Sequence, residues 1–199
     1  MRPVEELLRE GVRAGQFGGE LEPHGEHAMG FLLFSGDLSG HVVDLGSGAG
    51  LPALVLAEAC PDTSWTLIER RTSRAELLRR AVRRLGFADR VIVLDDDAGV
   101  VGWADLRGSA DFVTARSFGP PTDTAEVGAP LLAIGGSLIV SEPMDSTIEE
   151  RWPPAGVARC GLTAAETWQT PRGRYLRLER QAGDLDHLPR RGARKSPLF

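Results

Sequence analysis

Residues 42–52 read Val42-Val43-Asp44-Leu45-Gly46-Ser47-Gly48-Ala49-Gly50-Leu51-Pro52, a short apolar run that breaks into three alternating glycines. The run is short enough for a buried strand, and the apolar residues 51–59 that follow suit a buried helix. Glycines at such a strand-to-helix junction accept positive φ and let a ligand approach the main chain where a Cβ would block it. A plain tight turn needs fewer of them. Outward from this loop the chain alternates. Further strands are expected at 65–68, 91–94, 111–115 and 137–140, with helices over 73–85 and 122–133. Ser73 and Glu76 have capping-box spacing, Leu77, Leu78, Ala81, Val82 and Leu85 form an apolar stripe, and Gly86 follows as a stop. Strands alternating with helices predict an α/β, Rossmann-like fold, a mostly parallel sheet with helices on both faces. Segments 162–168 and 175–179, around Thr170-Pro171-Arg172-Gly173, predict a closing hairpin that adds an antiparallel edge strand.

The chain has 199 residues, 42% hydrophobic and 26% charged, with a net charge of −5, which suits one soluble domain and argues against global disorder. The N-terminal 36 residues are expected to form a helical cover, with Val4, Leu7, Leu8 and Val12 at helical spacing, Gly15 as a stop, a loop over 16–25 and a short helix over 28–33. The domain then runs to residue 182, and 183–199, without hydrophobic periodicity, reads as a basic tail. The longest apolar stretch, 51–60, is far too short to span a bilayer, and residues 1–6 lack a signal peptide's apolar core. Two cysteines, Cys60 and Cys160, make neither a disulfide framework nor a metal cluster. A cytoplasmic protein without a metal is expected. Of the 23 basic residues all but Lys195 are arginine, and the acidic balance opposes strong non-specific nucleic-acid binding while leaving room for a local basic patch.

Two ligand classes compete for the glycine loop. A dinucleotide fingerprint requires its third glycine where this chain has Leu51. The loop is therefore G-x-G-x-G with Asp44 two residues upstream, the pattern of Rossmann-like methyltransferases that use S-adenosylmethionine. Glu69, 21 residues after Gly48 at the end of the second strand, is placed to accept ribose hydroxyls. Asp95-Asp96-Asp97 follows the third strand, where an adenine amino group is met, although the triplet also suits an exposed turn.

The segment Gly46-Ser47-Gly48-Ala49-Gly50-Leu51-Pro52 resembles the signature of the bacterial 16S ribosomal-RNA guanine-N7 methyltransferases, the RsmG or GidB family. His27, 17 residues before Asp44, matches the family's His-containing helix. Thr114-Ala115-Arg116-Ser117-Phe118 resembles its Ser-Arg-Ala segment, and 188–198, Leu-Pro-Arg-Arg-Gly-Ala-Arg-Lys-Ser-Pro-Leu, its Pro-Arg-rich C-terminus. The similarity covers residues 24–199. The chain departs from the family at three places. A Trp-Asn and Asn-Leu-Thr stretch has no counterpart, Asp97 stands for an arginine, and Ser141-Glu142-Pro143 stands for a Lys-Gly.

The resemblance implies a class I methyltransferase with Asp44, Gly46, Ser47, Gly48, Gly50, Leu51, Glu69, Asp96, Asp97, Ala98 and Arg116 around S-adenosyl-L-methionine, and Arg116 as the catalytic residue. It implies small-subunit ribosomal RNA as partner, met by Arg116 and by Arg190, Arg191, Arg194 and Lys195. Asp97 and Glu142 keep a small-molecule or peptide acceptor open, and a cofactor-binding protein without turnover is the third reading. The arginines of 74–85 could follow an RNA backbone or simply be solvated, and His27, on an apolar segment, reads as a core histidine.

Overall fold

The computed structural model describes residues 3–13, 21–34, 36–102, 105–190 and 196–199. Two helices open the chain, α1 (Pro3–Arg13) and α2 (Leu21–Met29), continued by a 3-10 turn at Gly30–Leu32. Then follow β1 (His41–Leu45), α3 (Ala53–Ala59), β2 (Ser64–Ile68), α4 (Thr72–Arg84), β3 (Val91–Leu94), α5 (Ala98–Val101), β4 (Ala110–Ala115), α6 (Pro121–Gly128) and β5 (Leu132–Glu142). The chain closes with α7 (Ile148–Arg151), α8 (Pro154–Arg159), β6 (Leu162–Thr170) and β7 (Gly173–Arg180). Among the described residues the strands form one sheet in the order β3-β2-β1-β4-β5-β7-β6. The first five pair in parallel, and β7 pairs antiparallel with both β5 and β6. This is the expected Rossmann-like architecture with its closing hairpin.

Alternation along each strand supplies both cores. Val43, Leu45, Val113, Leu138 and Leu176 face one layer, whereas Val42, Trp65, Leu67, Ile139 and Tyr175 face the other. β1 is central and buried on both faces from Val42 to Leu45, which is why that stretch reads as an apolar run interrupted by Asp44. Strand order reverses between β1 and β4, so the loops after Leu45 and after Ala115 flank a crevice at the carboxyl ends of the strands. No helix among the described residues is long and apolar enough to cross a membrane.

Local expectations met tertiary competition at three places. Helix α4 starts at Thr72, with Arg71 as an uncapped, extended N-cap; Ser73 is already inside the helix and Glu76 turns to Arg79 and Arg80 instead of closing a box. Its stripe is buried at Leu78, Ala81 and Val82, but Leu77 faces out, and Gly86 (φ +72°) ends the helix as expected. Residues 21–25 belong to α2 rather than a loop, because Pro23 falls in the first turn, where its missing N–H has no helical partner to lose. Residues 16–20 and Gly15 lie outside the described residues.

The third difference concerns the expected tail. Leu185 and Leu188 are buried, and Arg107 donates to both their carbonyls, at 2.6 and 2.8 Å. Leu198 and Phe199 pack against the core face that carries α6 and α8, and the Leu198 N–H donates to Thr122 Oγ1 at 2.9 Å. A strap laid across a surface needs apolar residues only where it touches, so it shows no periodicity. Arg190, expected to meet RNA, instead binds the buried carboxylate of Glu126 through its main-chain N–H (2.6 Å) and its guanidinium (2.8 and 3.1 Å). Arg191, Arg194 and Lys195 lie outside the described residues.

Tyr175 fixes the N-terminal cover to the sheet. Its hydroxyl donates to the His27 carbonyl at 2.7 Å, and its ring stacks on Trp168 and meets Phe31 edge-on. Gly30 leaves room for that ring; a Cβ there would overlap the phenol. Gly30→Ala should therefore lower stability by about 2 kcal/mol, read as a fall in thermal midpoint of roughly 4–8 °C for a chain of this size. An unchanged midpoint would contradict this packing.

Candidate active site

The loop after β1 has Gly46, Gly48 and Gly50 at φ +65°, +54° and +95°. Two of the three serve packing and one leaves the main chain open. A Cβ on Gly50 would enter the Leu54 side chain, and one on Gly46 would stand 3.0 Å from the Phe118 ring, so both serve close packing. Around Gly48 the nearest atom to such a Cβ is 3.8 Å away, leaving its main chain open to an approaching group. Ser47 is tied into the loop by two hydrogen bonds that it donates. Its N–H donates to the Ile68 carbonyl at 3.0 Å and its hydroxyl to the Asp44 carbonyl at 3.2 Å, locking the loop onto β1 and β2.

Beside this loop opens a cleft of about 890 Å³, lined from the expected set by Gly46, Glu69, Asp96, Asp97 and Ala98. Such a volume takes a nucleoside-sized ligand. Glu69 is 5% exposed and accepts from the Gly48 N–H at 3.0 Å and the Arg71 N–H at 2.8 Å. The parallel register of β1 and β2, Leu45 opposite Ile68, delivers the acid to the loop. Asp97 caps α5, its Oδ1 accepting from the Gly99 N–H at 2.8 Å, and Asp96 accepts from the Asp97 N–H at 2.7 Å. No group of three acid, cysteine or histidine side chains is arranged to hold a metal among the described residues.

Asp44 and Arg116 are not in the cleft lining. Asp44 is fully buried; its Oδ1 accepts from the Thr114 hydroxyl at 2.6 Å and its Oδ2 has no partner among the described residues. Burial raises its pKa to about 6, against the opposing effects of the Thr114 hydroxyl and the Arg116 charge. The Arg116 guanidinium turns toward α2, with Nη2 3.0 Å from His24 Nδ1 and Nη1 buried without a partner among the described residues. Desolvation lowers its pKa, while Tyr175 and Asp44 oppose that shift. His27 is pushed down to about 4, first by burial and then by the charges of Arg116 and His24, so its ring is neutral at physiological pH. Burial among aromatic rings fits the core-histidine reading of His27.

Sequence reasoning missed His24, Phe118 and Tyr175 as neighbours of this site. His24 and His27 are three apart, a helical spacing obscured by the loop reading of 16–25. Glu142, which kept a small-molecule or peptide acceptor open, is buried and accepts from Arg151 Nε and, at 2.9 Å, from Trp152 Nε1. It anchors α7. Of the expected set, Ser47, Gly48, Gly50 and Leu51 shape the loop without lining the cleft.

A family model described as rRNA small subunit methyltransferase G matches residues 27–151, from α2 through α7. The chain is 40% identical over 122 residues to the ribosomal RNA small subunit methyltransferase G of Syntrophomonas wolfei, covering 61% of this chain and 56% of that protein. To the protein of the same name from Kineococcus radiotolerans it is 37% identical over 131 residues, covering 65% and 50%. The chain thus spans about half the length of the curated relatives it matches. Among solved structures, the ribosomal protein L11 methylase of Lactobacillus delbrueckii subsp. bulgaricus aligns with a TM-score of 0.63 at 15% identity, over 83% of this chain and 81% of that one. That likeness concerns the fold.

Proposed function

Because the chain belongs to the rRNA small subunit methyltransferase G family, we propose that it transfers a methyl group from S-adenosyl-L-methionine to a guanine N7 of small-subunit ribosomal RNA, in the cytoplasm. The observation that carries the cofactor half is the buried Oδ2 of Asp44, without a partner among the described residues, at the base of the glycine loop. A buried carboxylate oxygen without a donor is costly, and an ammonium group such as the one on the methionine end of this cofactor would satisfy it. Gly48 offers the open main chain, Glu69 would take the ribose hydroxyls in place of the two backbone N–H groups it now accepts from, and Asp96, Asp97 and Ala98 would border the adenine.

When bound, the sulfonium supplies a methyl group open to in-line displacement. Guanine N7 bears no proton at neutral pH, so no side chain needs to act as a base, and the chain's task is positioning and electrostatics. Arg116 has a desolvated donor, Nη1, at the carboxyl end of β4. We assign it to the acceptor, where it would hold O6 and leave N7 free. His24 holds the other arm of the guanidinium. A small-molecule or peptide acceptor rests on Asp97 and Glu142, and both already have partners inside the fold, so no observation favours that reading or a protein without turnover.

The test is labelled methyl transfer to unmodified small ribosomal subunits, followed by digestion and mass analysis. N7-methylguanine at one position is expected. No transfer by protein that demonstrably binds the cofactor would overturn the acceptor.

A further inference from the structure

We infer that Arg70, Arg71 and Arg74, at the mouth of the cleft where β2 passes into α4, form a docking surface for the phosphodiester backbone of the acceptor RNA. The inference rests on the methyltransferase reading above and names where the acceptor lies.

The arginines after β2 divide into two groups. Along the body of α4, Arg79, Arg80 and Arg83 gather around Glu76 at 3.7, 3.4 and 3.9 Å, and Arg84 pairs with Glu10 of α1. Their charge is locally answered. Arg70, Arg71 and Arg74 are exposed, border the cleft, and have no ion-pair partner among the described residues. Two of them, Arg71 and Arg74, lie three apart and so share a face of the first helical turn. In a chain of net charge −5 this is a local positive rim rather than part of a general basic character.

The rim has the wrong sign for the cofactor. S-adenosyl-L-methionine carries an ammonium, a sulfonium and one carboxylate, a net positive charge, which the cleft acids Glu69, Asp96 and Asp97 suit and guanidinium groups repel. Unpaired arginines beside a site for a cation call for a different, anionic visitor. An RNA backbone presents evenly spaced phosphates, binds arginine forks bidentately, and gains by releasing its counterions. The expected basic tail does not serve in the same way at Arg190, whose guanidinium is held by Glu126.

The experiment compares the full chain with an Arg70→Gln, Arg71→Gln, Arg74→Gln triple variant in binding to unmodified small-subunit ribosomal RNA over a series of salt concentrations, with cofactor affinity measured separately. An Arg80→Gln, Arg83→Gln double variant serves as control. Each lost phosphate contact should flatten the slope of log K against log salt by about 0.7–0.9, so the triple variant should lose about 2 units of slope and bind on the order of tenfold to a hundredfold more weakly at low salt. The control should keep the parent's slope, and cofactor affinity of the triple variant should stay level or tighten. An unchanged slope overturns the inference and leaves the methyltransferase reading intact. A triple variant that loses cofactor affinity also overturns it, because the arginines then serve the cofactor. If the parent chain binds no RNA, the acceptor reading and the rim fall together.

Discussion

Arg116→Ala is expected to lower the turnover of methyl transfer by about two to three orders of magnitude, the usual result of removing one preorganised donor from a desolvated site, while cofactor affinity stays near the parent value. The guanidinium has been taken out of water, which lowers its pKa, and yet Nη1 has no partner among the described residues. A donor kept dry and unanswered is an expensive arrangement in the free protein, and it becomes favourable only when an acceptor arrives. Alanine removes that donor and leaves the loop, Glu69 and Asp44 in place. Because the Arg116 charge helps to lower the pKa of Asp44, the variant should be compared above about pH 8, where Asp44 remains ionised in both proteins. Arg116→Lys keeps a charge without the planar fork and should recover only part of the rate. Guanidinium ion added to the alanine variant should also recover part. Turnover unchanged in Arg116→Ala would remove the residue from the chemistry, and equal losses of turnover and cofactor affinity would move it into the cofactor set.

How far the sequence carried differs from residue to residue, and separation along the chain explains most of it. The glycine loop was legible because a strand, a turn and a helix follow one another within residues 41–59, and the structure keeps them as one unit. Glu69 was legible because a parallel strand next to β1 must end beside the loop, and the Glu69–Gly48 contact follows from that register. The capping box at Ser73 failed because the helix begins two residues earlier than the Ser-x-x-Glu spacing suggests, with Arg71 as the extended residue before it. The Arg190–Glu126 pair joins positions 64 apart, and the apolar strap behind it touches the core only at scattered positions, so no periodicity announced it. The partners of Glu142 were hidden for a related reason. Its partners, Arg151 and Trp152, come from a short helix that the pattern does not mark. Most hidden of all were the atoms of Asp44, Arg116 and His27 that have no partner among the described residues. Residue types suggest that such groups exist, but only the packed structure shows which of their atoms remain unanswered.

Asp44→Asn should weaken cofactor binding by about a hundredfold near pH 8, as removal of one partner of a buried charge pair does, and should at the same time make the free protein more stable. The second half follows from the sign of the pKa shift. Burial raises Asp44 from 3.8 to about 6 in the folded chain. A group raised on folding contributes its full stability below the unfolded value and loses it as pH rises through the folded one. Between about pH 4 and pH 6 the unfolded chain ionises while the folded chain holds its proton, and above that window the ionised carboxylate is a penalty of about 3 kcal/mol, at 1.36 kcal/mol per unit. Asparagine removes the charge and can still accept from the Thr114 hydroxyl, but it turns an unanswered N–H₂ toward the place of Oδ2, which returns about 1–2 kcal/mol of that gain. A net stabilisation of about 1–2 kcal/mol is expected near pH 8, fading as the pH falls toward 4. The pH profile of cofactor affinity separates charge from shape. In the parent chain binding of the ammonium requires ionised Asp44, so affinity should fall about tenfold per unit below pH 6 and level off above it; in Asp44→Asn it should be flat across that window. A variant that loses affinity and stability together would make Asp44 a structural residue. A variant that gains stability and keeps the parent's affinity would leave the buried carboxylate without a ligand to answer it, and with it the cofactor assignment would lose its main support.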